Sequence, residues 1–341
     1  MIPGEKKRRS ATEKRWLLRE LLQRKSLTVM PGGFSPLYAR VAEEAGFETF
    51  FLAGSQLSAF LYGVPDSGII GLRDLVDHAR HMAARTNIPI FIDADTGFGN
   101  AVNVHYAVTE CIHAGVAGVQ IEDQESPKKS GISSGRRCIT IEEAVGKYRA
   151  AISARDALDP SFVICARTDA LGAENSSFEE ALDRCIAYVQ EGGVDFIWLN
   201  SVQTREQLAR ACKEIPAPVL TIWGGAQPAP TLEEYEQLGV RIALYPTLAA
   251  SSGLQAAWHV LHDFRSRGTE ALLKWGQSIE NSPFGRAHLD HLTGAAEVRE
   301  LEELYLPESV KRNYESTWGH KDMLASVLQE LQKTHHESNS S

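Results

Sequence analysis

Residues 88–121 read IPIFIDADTGFGNAVNVHYAVTECIHAGVAGVQI. A short apolar run, Ile88–Ile92, breaks into acidic residues and a glycine-rich turn. A helix-like stretch over Ala101–Ala114 follows, then Gly115 and a second apolar run, Gly118–Ile121. Strand, turn, helix and strand within about 30 residues is the crossover unit of a parallel sheet.

Outward from this stretch the unit repeats. Short apolar, β-branched segments recur at Leu27–Met30, Thr49–Leu52, Ile88–Ile92, Gly118–Ile121, Phe162–Ala166, Phe196–Leu199, Val219–Ile222 and Ile242–Leu244. Helix patterns cover Ile141–Asp156, Ser177–Glu191 and Thr204–Glu214, with Gly192 and Gly193 near a helix end. Too few of these strands alternate to leave one face in water, so they predict a closed (β/α)₈ TIM barrel. Residues 10–25 form an amphipathic pattern, an N-terminal helix that plugs or flanks the barrel. Residues 255–275 and 295–333 carry further helical patterns, a C-terminal extension, and THHESNSS (334–341) reads as a disordered tail. The 341 residues are expected to form a single domain, 1–341, with its barrel core over about 27–250, since such barrels run to about 400 residues.

Composition narrows the function classes. A 43% hydrophobic fraction with 23% charged residues supplies a large core. The net charge of −9 and pI near 5.7 offer no basic face for nucleic acid, and no apolar run approaches the ~20 residues of a membrane span. MIPGEKKRRS at the start lacks the apolar core of a secretory signal. Its Lys6, Lys7, Arg8 and Arg9 read as a solvated tail, with a localisation signal or a phosphate contact as alternatives. Cys111, Cys138, Cys165, Cys185 and Cys212 are odd in number, widely spaced and free of CxxC pairs, which suits a reducing, cytoplasmic setting. The histidines show no HxH or HExxH spacing, so His78, His81, His105 and His113 read as helix-surface residues. Trp198 reads as core, and Trp223 either lines a pocket or packs.

Barrel chemistry gathers at the C-terminal ends of strands. The third strand ends in Asp93-Ala94-Asp95-Thr96-Gly97, the fourth in Glu122-Asp123 and the fifth in Arg167-Thr168-Asp169. Asp93 and Asp95 alternate across Ala94 and leave the strand on one side. With Glu122 they make a hard oxygen set suited to Mg²⁺ or Mn²⁺; capping of the next helix is the alternative reading of the Asp pair. Arg167 is placed to grip a substrate carboxylate bidentately, or else to pair with Asp123 or Asp169. Between them, DQESPKKSGISSGRRC (123–138) reads as a lid that excludes water, or as a solvated basic loop.

These residues resemble the phosphoenolpyruvate mutase and isocitrate lyase superfamily, which includes methylisocitrate lyase, oxaloacetate hydrolase and carboxyphosphonoenolpyruvate mutase. The resemblance runs over roughly 27–250 through AGFETFFLAGSQLSAFLYGVPDSG, DADTGFGN, IEDQESPKKSG, ICARTDA and IALYP, in the family's order. It implies a barrel that forms homodimers or homotetramers, often with an exchanged last helix, and binds Mg²⁺ and a small carboxylate substrate. By position, Asp93, Asp95 and Glu122 would hold the metal and its waters, with Asp66 supporting them. Gly54, Ser55 and Asn200 would contact substrate, Lys128 and Ser130 would sit on the gating loop, and Arg167 would bind the carboxylate. The shared chemistry is formation or stabilisation of a pyruvate-like enolate.

The departures bear on the substrate. Family lyases carry a gating-loop Cys within K-[KR]-C-G-H, where this chain has Ser130 in Lys128-Lys129-Ser130-Gly131-Ile132; a hydroxyl is a far weaker acid than a thiol. The family's Glu after the sixth strand is Asn200, its N-x-x-E-x-G after the seventh is Thr221-Ile222-Trp223-Gly224-Gly225, and an Arg of the tricarboxylate lyases aligns with Ser251. A tricarboxylate would lack counter-charges here, so the expectation is C–C cleavage in an oxaloacetate- or malate-like acid. A C–P enzyme is the alternative: phosphoenolpyruvate mutase and phosphonopyruvate hydrolase also lack the Cys and carry His-Ser where this chain has Asn200-Ser201. A degenerate, metabolite-binding barrel is the third reading.

Overall fold

The computed structural model describes residues 8–280, 282, 292–314 and 316. Its strands are β1 (Thr28–Gly33), β2 (Phe50–Leu52), β3 (Ile90–Asp93), β4 (Gly118–Glu122), β5 (Val163–Thr168), β6 (Phe196–Leu199), β7 (Val219–Ile222) and β8 (Ile242–Tyr245). They are parallel, pair in sequence order, and close where Thr28–Pro31 of β1 meet Ile242–Tyr245 of β8. The TIM barrel expected from the repeat is therefore the fold. β4 and β5 run past the segments read from apolarity because their polar ends stay in the ladder, with Glu122 paired in register to Arg167.

Helices alternate with the strands: α1 (Ala11–Gln23), α2 (Pro36–Glu44), the short α3 (Gly54–Leu57), α4 (Leu72–Arg85), α5 (Ala101–His113), α6 (Ile141–Leu158), α7 (Phe178–Gln190), α8 (Arg205–Glu214), α9 (Leu232–Gln237) and α10 (Leu248–Arg267). Local sequence starts several of them: Asn100 Oδ1 caps α5 at Val102 N–H, and Ser177 and Thr204 cap α7 and α8. A π-helical turn, Ser58–Tyr62, continues α3.

Two apolar layers carry the barrel. The outer one packs strand residues such as Ile92, Val119 and Ile164 against Ala79, Val108, Tyr148 and Cys185 of the helices. Inside the barrel Met30, Phe51, Phe91, Phe196, Trp198 and Leu244 meet Leu18, Leu21 and Leu22 of α1. α1 therefore plugs the barrel, and its cations tie down the N-terminal rim. Lys14 donates to Ala83 and Thr86 carbonyls, Arg15 to Ile112 and Val116, and Arg19 to Ser161 and Phe162. These interactions satisfy buried carbonyls at helix ends and strand starts, which would otherwise be costly.

The described chain divides into two compact units, Arg8–Ser252 and a C-terminal one from Gly253. The second contains the rest of α10, α11 (Thr269–Ser278), α12 (Ala295–Tyr305) and a 3₁₀ turn at Glu308–Val310. The extension expected at 255–275 and 295–333 is thus helical over α10, α11 and α12. Its remainder at 317–333, the tail at 334–341, and Lys6 and Lys7 lie outside the described residues. Among the described residues no helix is long and apolar enough to cross a membrane.

Candidate active site

The ends of β3, β4 and β5 bring the acidic and basic residues together. Asp93 is the last residue of β3, and Asp95 lies beyond it at φ 48°, in the left-handed region uncommon for non-glycine residues. A turn, then, and not strand alternation, aims Asp95 beside Asp93. The alternative reading as a helix cap does not hold, since Asn100 caps α5. Asp93 Oδ1 accepts from Asp95 N–H (3.0 Å) and Gln120 Nε2 (2.7 Å), and its Oδ2 accepts from Gly54 N–H (3.3 Å). Gly54 lies against both carboxylates: a Cβ there would stand 3.1 Å from Asp93 Oδ2 and 3.3 Å from Asp95 Oδ1. Ser55, next in α3, is half-buried.

Two cations enter this acidic set. Lys128 Nζ lies 2.8 Å from Asp95 Oδ1 and also pairs with Asp66. Arg167 stacks on Trp198 (4.5 Å from guanidinium carbon to ring centroid), faces Glu122 Oε2 across 3.2 Å, and meets Asp169 Oδ2 at 2.9 Å. Of the alternatives read for Arg167, the pair with Asp169 is present. Arg167 is also only 5% exposed, so it sits beneath the rim and not on it. Asp123 serves the framework instead, accepting from Thr168 Oγ1, Asp169 N–H and Tyr188 Oη.

Burial sets the electrostatics. It pushes the Glu122 carboxyl well up. Burial and the neighbouring Asp93 raise Asp95 to about 6, against the pull of Lys128. Desolvation opposes the charge on Lys128, but Glu122, Asp95, Asp93 and Asp66 outweigh it and hold the ammonium charged.

Among the described residues no three His, Cys, Asp or Glu side chains form a ready cage for a metal ion. A cage is not what Mg²⁺ needs, because it keeps several waters and takes one or two carboxylates directly. Spare acceptors are present: buried Asp95 Oδ1, Glu122 Oε2 and Gln120 Oε1 accept no hydrogen bond. For Asp95 and Glu122 the facing Lys128 and Arg167 make ion-pair contacts without hydrogen-bond geometry. These oxygens near Asp93, Gln120 Oε1 without a partner among the described residues and the two carboxylate oxygens facing only cations, fit a hydrated divalent cation.

The segment after β4 lies over these groups. Lys128 is buried and Ser130 half-buried, the Ser130 hydroxyl making no hydrogen bond among the described residues. A Cβ on Gly131 would come within 2.0 Å of Arg167 Nη2 and 3.0 Å of Asn200 Nδ2, so the segment packs directly on Arg167. Asn200 Nδ2 donates to Asp169 Oδ1 (2.5 Å) and to Gly131 O (2.9 Å). Gly54, Asp66, Asp93, Asp95, Glu122, Lys128 and Arg167 are thus brought together, and Asn200 faces the loop and Asp169. Among the described residues, the Ser55 and Ser130 side chains make no polar contact with the set. Trp223 is exposed and stacks on Tyr245, and His78 and His105 are half-buried, bonded to the carbonyls of Phe34 and Ala150.

The sequence profile of the phosphoenolpyruvate phosphomutase family matches residues 18–264. The chain belongs to the phosphoenolpyruvate mutase/isocitrate lyase superfamily. It is 35% identical over 290 residues to 2,3-dimethylmalate lyase of Eubacterium barkeri, which covers 84% of this chain and 96% of that one. The structure of oxaloacetate acetylhydrolase in complex with the inhibitor 3,3-difluorooxalacetate superposes with a TM-score of 0.71 at 30% identity, covering 82% of this chain and 98% of that one. Phosphonopyruvate hydrolase, in complex with oxalate and Mg²⁺, superposes with a TM-score of 0.74 at 31% identity, covering 86% and 99%. The chain is an enzyme of this superfamily, whose members cleave C–C or C–P bonds of small carboxylates. The Mg²⁺ in that neighbour agrees with the spare oxygens around Asp93.

Gln120, Gln124 and Arg136 also reach these groups, and sequence reasoning missed them. Gln120 lies in β4 and bonds Asp93; Gln124 bonds Glu122 and both the N–H and C=O of Lys129. A signal for Gln120 was present, an amide inside an otherwise apolar strand. Arg136 had none, because a basic residue in a polar loop reads as solvated.

Proposed function

We propose that this enzyme is a Mg²⁺-dependent lyase, hydrolase or decarboxylase that cleaves a C–C bond of a small oxaloacetate- or malate-like acid. The observation that carries the reading is the pair of buried cations, Lys128 and Arg167, set over Asp93, Asp95 and Glu122. The similarity to 2,3-dimethylmalate lyase and oxaloacetate acetylhydrolase supports it. Asp93, Asp95 and Glu122 would hold Mg²⁺, or Mn²⁺, and its waters, and Asp66 would support them by fixing Lys128. The metal would supply Lewis-acid stabilisation of the negative charge that develops on an enolate oxygen.

The chain's own groups do the rest. Arg167, oriented by Trp198 and Asp169, would grip the substrate carboxylate, and Gly54, Ser55 and Asn200 would contact its oxygens. Lys128 would bring positive charge to the enolate side, and closure of its loop would shield that charge from water. Ser130 stands where family lyases hold a thiol acid, which favours substrates whose departing fragment needs no strong acid. The free, largely buried cysteines support a cytoplasmic setting. Exposed Leu254, Trp258 and Leu261 on α10 support a homodimer or homotetramer.

Asn200-Ser201 favours a second reading, C–P cleavage, which the similarity to phosphonopyruvate hydrolase also supports. The deciding experiment is turnover of oxaloacetate by wild type and Asp93→Ala, with and without Mg²⁺, reading pyruvate, acetate and oxalate separately. Metal-dependent loss of oxaloacetate that disappears in the variant is the expected result. Absence of turnover there and across 2-oxo and 2-hydroxy diacids, with a phosphorus NMR signal from phosphonopyruvate cleavage, would transfer the assignment to C–P chemistry. Silence in both assays would leave the metabolite-binding barrel.

A further inference from the structure

The stem of the loop after β4 is clasped by backbone, its tip by side chains. At the stem, Glu125 N–H bonds Arg137 O, Ile139 N–H bonds Asp123 O, Gln124 bridges Cys138, and Arg136 bridges Ala173 with its carbonyl on Glu174 N–H. Around residues 128–131, by contrast, the bonds that cross to the rest of the barrel come from Lys128 Nζ, Gln124, Asn200 and Arg136. Arg136 is therefore a donor on a fixed base reaching back to the tip.

Its reach is specific. Arg136 Nη1 donates to Gly131 O (2.7 Å), Asp169 Oδ1 (2.8 Å) and Ser201 Oγ (2.9 Å). Asp169 Oδ1 also accepts from Arg167 Nη2 (3.1 Å) and Asn200 Nδ2 (2.5 Å). Two donors, Arg136 and Asn200, thus share two acceptors, one on the loop tip and one on the carboxylate that orients Arg167. The other end of the guanidinium is pressed on Gly172, where a Cβ would stand 1.5 Å from Arg136 Nη2.

We propose that Arg136 is a positioning residue: a fixed latch that holds the loop tip closed through Gly131 O and, through Asp169 Oδ1, couples closure to the orientation of Arg167. This rests on the reading of residues 123–138 as an active-site lid. When the tip lifts, Gly131 O leaves both donors, and Arg136 and Asn200 keep only Asp169 and Ser201. Loss of the charge-assisted bond to the tip should cost closure about tenfold in population.

Hydrogen exchange of the full-length protein tests this without needing a substrate. Arg136→Met removes the donors. Gly172→Ala keeps every charge and displaces the guanidinium. Arg136→Lys restores one ammonium. The expected result is amide protection over residues 128–134 falling about tenfold in Arg136→Met and Gly172→Ala, partly regained in Arg136→Lys, with strand amides unchanged. Unchanged tip protection in Arg136→Met overturns the proposal, as does a loss shared equally by the barrel strands. On any substrate that wild type turns over, Arg136→Met should raise KM about tenfold and Arg136→Lys should recover part of it; an unchanged kcat/KM also overturns the latch. A tip-specific exchange effect in an enzyme inactive on every diacid would uphold the latch while refuting the proposed reaction.

Discussion

Lys128 Nζ stands 2.8 Å from Asp95 Oδ1 while it pairs with Asp66, so a single ammonium joins the loop after β4, the end of β3 and the segment after α3. Lys128→Met removes that cation from among buried carboxylates, where loss of one partner costs roughly 3–5 kcal/mol. The melting temperature in EDTA should fall by several degrees, and Mg²⁺ should raise it more in the variant than in wild type, because the metal then supplies the missing charge. Turnover should drop at least about 100-fold. Equal Mg²⁺ shifts in thermal melts of the two proteins would count against this account of the site.

Arg167 uses its planar fork toward Glu122, Asp169 and the Trp198 ring at once. A lysine ammonium cannot reproduce that geometry. Arg167→Lys should therefore lose about 100-fold in kcat/KM, about 3 kcal/mol of transition-state binding, in a protein that still folds. Steady-state kinetics beside a circular dichroism melt would show it; a loss below about threefold would remove Arg167 from substrate recognition.

At the opposite end of the barrel, desolvation raises the Asp159 carboxyl, but bonds from Ser161, Arg15 and Thr12 outweigh it and hold the group at about 2. A folded-state value below the ordinary 3.8 contributes stability above the unfolded value that is lost as pH falls through the folded one. Wild type should exceed Asp159→Asn in melting temperature at pH 6, and the gap should close between pH 4 and pH 2. A gap independent of pH would show that Asp159 acts through shape and not charge.

On α10, Trp258 and Leu261 are 61% and 68% exposed. If they meet a second copy, wild type elutes as a dimer or tetramer by light scattering, and Trp258→Arg with Leu261→Glu lowers the mass to that of the monomer. A wild-type monomer across micromolar concentrations would refute the oligomer.

Much of this protein was legible in one dimension. The apolar segments located the barrel, because strands covered on both faces carry continuous apolar residues whatever their neighbours. Asp93, Asp95, Glu122 and Arg167 were legible as strand-end residues because a parallel barrel sends all such ends to one face. Neither their mutual pairing nor the turn of Asp95 toward Asp93 was legible, since an aspartate does not announce a positive φ and the 2.8 Å contact with Lys128 is a relation between distant chain positions. The place of Arg136 was hidden most completely. In sequence it is one basic residue in a polar loop, and only the fold, by bringing buried Asp169 and half-buried Ser201 and Gly131 around its guanidinium, gives that charge its partners. Periodicity records which residues avoid water; which polar groups answer one another is decided only when strands distant in sequence are closed into a barrel.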